Sequence, residues 1–195
     1  MADVTLPTDL PVMAFTDQAA FETWLDAEGT TAPGVYVKLA KKGAGVPSVT
    51  YAEIVESALC FGWIDGRSNA VDERFYLQRM TPRRPKSVWS QKNVDAVEAL
   101  TEAGRMRPAG LAAVEAARAD GRWERAYAGS ATITVPDDLA QALAAEPAAQ
   151  KEFELLDGAN RYAVLWRVHT ANSQATRAKR IANLVQMLAE GRRIH

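Results

Sequence analysis

The chain has 195 residues, is 48% hydrophobic and 24% charged, and carries a net charge of −1. That is the composition of a folded domain or two, not of a disordered chain, and near-neutrality excludes a protein that coats nucleic acid over its whole surface. A single cysteine excludes an internal disulfide framework and any multi-cysteine metal site, and two histidines leave no paired-His metal or acid/base motif.

The opening "MADVTLPTDLPVMAF" has neither a basic region nor a continuous apolar run, so no secretory signal is expected. No apolar stretch reaches the roughly 18–20 residues of a membrane span, and the cytoplasm is the simplest compartment. "FTDQAAFETWLDAEG" reads as the first helix, with Thr16 as N-cap, Phe21, Trp24 and Leu25 on one face, and Gly29 as a left-handed C-cap. "GVYVKLAKKG" alternates Val35, Val37 and Leu39 against Tyr36 and Lys38, the pattern of a half-buried strand. Thr50 and Glu53 have capping-box spacing at the start of a helix that buries Ile54, Val55, Ala58, Leu59 and Phe61 and leaves Cys60 on its polar side. Asp65-Gly66 is a turn signal. Arg67 to Met80 suggests a hairpin turning at Val71–Arg74, with Phe75 and Leu77 inward. "TPRRP" then punctuates the chain, because proline holds it extended and removes backbone donors.

Beyond it the pattern is helical. Ser90 caps a helix carrying Val94, Val97 and Leu100 up to Gly104. Pro108 opens the next, with Leu111 and Val114 buried and Gly121 at its end. The segment 121–135 reads as a linker, with "AYAGSATITV" as an extra strand. Pro136 stands at N1 of a helix with two acids in its first turn. Phe153 and Leu156 mark another helix. Tyr162, Leu165, Trp166 and His169 make a core-facing stripe, and Ser173 begins a last helix carrying Ile181, Leu184, Val185 and Leu188. The expected fold is α+β: a small antiparallel sheet with packed helices in the N-terminal half and an all-helical C-terminal half. The expected domains are 1–120 and 136–195.

From Arg74 to Asn93 there are six basic residues and no acidic one. Guanidinium groups grip carboxylate or phosphate in a bidentate fork, so Arg83, Arg84 and Lys86, edged by Trp63 and Trp89, are candidates for an anion site. The bland alternative pairs these arginines with Glu53, Glu56, Asp65, Asp72 and Glu73 inside the fold. Arg177 and Arg180 fall on the core-facing side of the last helix, in its first turns, where the dipole favours anions. A negative group is therefore expected against them, either an internal carboxylate or a ligand. Cys60 and Asp65 are the candidates for nucleophilic or acid/base chemistry, although Cys60 sits at a helix C-terminus, the wrong dipole end for a thiolate. His169 reads as a core histidine. No metal and no cofactor is expected.

The segments "EIVESALCFGWIDG", "TPRRPKSVWSQKN", "MRPAGLAAVEAARADGRW" and "ATRAKRI" resemble the YdeI/OmpD-associated, or bacteriocin-protection, family of bacterial proteins, from about residue 15 to 190. Trp63, Asp65, Gly66, Arg83, Arg84, Pro85, Lys86, Ser87, Trp89, Ser90, Asn93, Arg177 and Arg180 match its motifs. Asn172 and Ala175 stand where the family pattern has a lysine and a glutamate. The resemblance implies a link to stress and to antimicrobial-peptide or bacteriocin resistance, and no reaction. The expected function is a cytoplasmic stress- or resistance-associated protein with an Arg-rich, Trp-edged pocket for a small anionic ligand or an acidic protein segment, walled by Trp63 and Asp65, by Arg83, Arg84, Lys86 and Trp89, and by Arg177 and Arg180. The alternatives are an enzyme using Cys60 or Asp65, and a nucleic-acid or protein-interaction module; a nucleic-acid partner is disfavoured because no recognition motif accompanies the local basic patch.

Overall fold

The computed structural model describes residues 7–195; the part of the signal-sequence reading that rests on residues 1–6 lies outside them. The elements run β1 (Val12–Met13), α1 (Gln18–Glu28), β2 (Val35–Ala40), α2 (Tyr51–Cys60), β3 (Trp63–Ala70), β4 (Phe75–Pro82), α3 (Gln91–Glu102), α4 (Pro108–Ala119), α5 (Asp137–Ala144), α6 (Pro147–Glu154), α7 (Gly158–His169) and α8 (Gln174–Ala189). The chain is α+β and divides into two compact units, one of Met1–Ser87 with Asp95–Asp120, the other of Val88–Val94 with Gly121–His195.

The first unit holds a four-stranded sheet of order β1-β2-β4-β3. The β2–β4 and β4–β3 pairs are antiparallel, but β1 lies parallel to β2, with Val12 opposite Tyr36. The sheet is thus mixed, not antiparallel throughout. Two residues are too few to show a strand period, which hides β1 in the sequence. The hairpin turns where expected: Asp72 Oδ1 accepts from the Arg74 and Phe75 amides at 2.7 and 2.8 Å, closing an Asx turn. Asp65-Gly66 makes no turn. It lies inside β3, where the register slips between Asp65 and Ser68, a bulge that Gln78 stitches by donating Nε2–H to Gly66 O at 2.7 Å. β2 is not half-buried either. Tyr36 is fully covered because its cross-strand partner Arg79 lies over its ring, and Nη1 of Arg79 donates to the Tyr36 hydroxyl at 2.9 Å.

The Thr50–Glu53 capping box forms in full at the start of α2. Helix α1 starts one residue later than expected, on Asp17 rather than Thr16, and Gly29 closes it in the right-handed region. Its Phe21 and Trp24 join Phe15 before it and Trp63 of β3 in a chain of ring contacts 5.1–6.2 Å apart. Helices α2 and α4 cross almost backbone to backbone. A Cβ on Gly110 would sit 2.2 Å from Cys60 O, and one on Gly62, at φ +74°, would sit 2.8 Å from Ala109 O. Leu111, expected inside, is 41% exposed, so Val114 and Ala117 carry the buried face of α4.

The second unit gathers α5–α8 around Leu139, Leu143, Phe153, Val164, Leu165 and Leu188. Pro136 is the N-cap of α5, one place before its expected position. Val164, Leu165 and Val168 form the buried stripe of α7, while Tyr162, Trp166 and His169 are only partly covered. "AYAGSATITV" forms no strand; Tyr127 makes one isolated bridge to Ser90. Ser90 and Ser173 cap α3 and α8 as their spacing implies. Among the described residues no helix is long and apolar enough to cross a membrane.

Because the atoms facing Gly110 are backbone and cannot rotate away, Gly110→Ala is expected to cost about 1–3 kcal/mol. Gly158→Ala, with nothing within 4 Å, should change stability by less than about 0.5 kcal/mol. Urea denaturation of the two variants side by side checks this.

Candidate site at the end of helix α7

Trp63 and Trp89, expected at a pocket edge, are 1% and 2% exposed. Trp63 donates its indole N–H to Gly29 O at 3.0 Å, and Trp89 packs edge-on to Trp123 with centroids 4.9 Å apart. Asp65 accepts from the Tyr51 hydroxyl at 2.7 Å. Arg83 is half-buried and its amide donates to Gly62 O at 2.9 Å; Arg84 and Lys86 are exposed in a turn that the Ser87 hydroxyl closes by accepting from Arg84 N. Trp63, Asp65, Arg83, Arg84 and Lys86 belong to the first unit, and Trp89, Arg177 and Arg180 to the second. Three of the carboxylates offered as internal partners for the basic segment have other duties. Glu53 closes the capping box, Asp72 the hairpin, and Glu56 binds Arg105 at 2.8 Å.

Cys60 lies inside the fold, not on a polar helix side. Arg105, on the turn after α3, bridges Glu56 and Glu22, and the buried Ser57 hydroxyl donates to Glu22 at 2.9 Å. This clamp joins α1, α2 and the α3 end beside the thiol. Burial still pushes the Cys60 thiol above its ordinary range, outweighing the Arg105 guanidinium. A thiol held protonated is a poor nucleophile.

The arginines of α8 give a different picture. Each directs Nη1 to a carbonyl in the last turn of α7: Arg177 to Val168 O at 3.0 Å, Arg180 to Arg167 O at 2.6 Å. Helix C-termini have unsatisfied carbonyls and a negative dipole end, so cations are favoured there. Arg177 then sets its Nε and Nη2 on the two oxygens of Asp138, at 2.5 and 2.8 Å. Asp138 in turn sits in the first turn of α5, where the dipole favours a negative charge. The internal carboxylate expected against this helix is therefore present for Arg177, and the guanidinium holds the Asp138 carboxyl below the usual aspartate range.

Arg180 differs. Its Nη1 also donates to Thr170 Oγ1 at 3.3 Å, and it makes no ion pair among the described residues. It lines an open pocket of about 340 Å³ with Trp166, Arg167, Asn183, Leu184 and Met187. Arg167, Asn183 and Met187 belong to none of the candidate sets that the sequence suggests. The helical spacing of Asn183 and Met187 from Arg180 was the available signal; nothing local marks Arg167, which lies on another helix. A second open pocket, about 540 Å³, is lined by Arg177, His169, Asn172 and Ser173 among others, but there Arg177 already holds Asp138. His169 Nε2 lies 3.0 Å from Thr134 O. No group of three or more His, Cys, Asp or Glu that could hold a metal occurs among the described residues.

Fold and site define an α+β protein with a sheet-bearing unit and a helical unit whose last helix carries a pair of arginines that cap the end of the helix before it. The chain belongs to the family described as a domain of unknown function (DUF8412), whose model matches residues 13–113. Residues 132–191, which include "ATRAKRI", match the model described as bacteriocin-protection, YdeI or OmpD-associated; the other three segments that carry the resemblance lie outside that match. Neither description names a reaction. The comparisons with curated proteins and with solved structures find no match.

Alkylation of Cys60 by iodoacetamide near pH 7.5 should be slower than that of free cysteine; an equal or faster rate would contradict the buried, raised thiol. The Asp138–Arg177 pair should stabilise fully above the unfolded aspartate pKa of about 3.9 and lose that contribution as pH falls through the lower folded value. Asp138→Asn should accordingly be less stable than the parent at pH 6, and the gap should narrow below about pH 3.9 in pH-dependent chemical denaturation.

Proposed function

We propose that this chain is a cytoplasmic binding protein for a small anionic ligand, acting in stress or bacteriocin resistance. The observation that carries the ligand part is the contrast between two neighbouring arginines: Arg177 has its carboxylate within the chain, and Arg180, beside an open pocket with Arg167, has none among the described residues. An anion there meets two guanidinium groups and an apolar wall, and partial burial strengthens the charge interaction over that in bulk water. The resistance role draws its support from the family matched by residues 132–191. The buried, raised Cys60 thiol weighs against thiolate catalysis.

Thermal-shift and calorimetric titrations at low ionic strength with acetate, phosphate and citrate test the reading. At least one of these should raise the Tm, and Arg180→Met should abolish the rise while its own Tm stays within a few degrees of the parent. A rise that survives Arg180→Met would remove this site. Tight binding only to an acidic peptide would make the partner a protein, and binding to DNA with a steep salt dependence would make it nucleic acid.

A further inference from the structure

Arg177 and Arg180 are built alike but differ at one guanidinium edge. Both hold a carbonyl of the α7 end through Nη1. Arg177 applies its Nε–Nη2 edge side-on to the planar carboxylate of Asp138. The same edge of Arg180 makes no hydrogen bond to the described chain, while two bonds from Nη1 fix the plane of its guanidinium. Such an edge presents two parallel N–H donors at the spacing of a carboxylate's two oxygens.

The remaining wall selects for what the carboxylate is attached to. Arg180, Asn183, Leu184 and Met187 recur at i, i+3, i+4 and i+7 on one face of α8, and they span about 10 Å at 1.5 Å per residue. Trp166 lines the same pocket from α7, its indole held edge-to-face by Tyr127 with centroids 5.9 Å apart and planes at 81°. An indole and a thioether both favour a flat π-system over an aliphatic chain. Resting on the anion-binding reading above, we infer that the pocket takes an aromatic carboxylate of one or two rings. Its carboxylate lies on the Nε–Nη2 edge of Arg180, with Arg167 adding charge. Its ring lies between Trp166 and Met187 over Leu184, and Asn183 is placed to bond a ring substituent.

Calorimetry with benzoate, acetate, phosphate and benzamide tests this. Benzoate should bind at least tenfold tighter than acetate or phosphate, and neutral benzamide should not bind. Trp166→Leu should bring benzoate down to the acetate level, and Arg180→Met should abolish the binding of both. In the native protein labelled with ¹³C-methyl methionine, benzoate should shift the Met187 ε-methyl resonance by ring current and acetate should not. Equal affinities for benzoate and acetate, or a preference for phosphate, would overturn the aromatic-carboxylate inference and leave the anion site standing, provided that Arg180→Met abolishes binding. Saturating benzoate with no Met187 shift would overturn it even if Trp166→Leu fails to fold. No binding by any of the three anions would overturn both readings.

Discussion

The crossing of α2 and α4 at Gly62 and Gly110 is the constraint on which the first unit depends. Neither glycine can carry a Cβ without meeting backbone atoms of the other helix. The node does more than pack two helices. Gly62, at φ +74°, turns the chain out of α2 into β3, and its carbonyl accepts from Arg83 N beyond the end of β4. The carbonyl of Cys60, left over at the α2 end, accepts from Arg107 N at 3.0 Å. The close approach thus satisfies a leftover helix-end carbonyl, and the turn at Gly62 sets where the hairpin begins and ties it to the chain after β4.

The second unit solves the same problem, the unsatisfied end of a helix, with side chains. Arg177 and Arg180 reach from the first turns of α8 to the last carbonyls of α7. Taken alone, the start of α8 is a poor place for cations; with the α7 carbonyls in reach it becomes a good one. Asp138 neutralises one of the two, from the favourable end of a third helix. The functional proposal rests on this asymmetry, because identical local chemistry leaves one guanidinium edge committed and the other open to a planar anion.

What was legible in the sequence was local. The capping box of Thr50 and Glu53, the Asp72 turn of the hairpin and the caps of Ser90 and Ser173 all join groups two or three residues apart, so their spacing alone implies the hydrogen bonds. The Asp65-Gly66 signal predicts a turn and the chain makes a bulge there, because the local preference for a kink is the same in both, and the difference lies in Gln78 across the strand pair. Tyr36 looked solvent-facing for the same kind of reason: its cover is Arg79, a residue 43 positions away.

The sequence by itself determined the α+β class, most helices and their caps, the hairpin, and the presence of a negative group against the last helix. Each of these follows from periodicity, capping chemistry or dipole sign within one element. Only the tertiary structure decided which carboxylate meets which arginine. Asp138 and Arg177 lie 39 residues apart, and their pairing is set by how α5, α7 and α8 pack, a matter of shape and buried area with no spacing rule. For the same reason the sequence could mark Arg177 and Arg180 together but not separate them: the difference between a filled and an open guanidinium edge exists only in three dimensions.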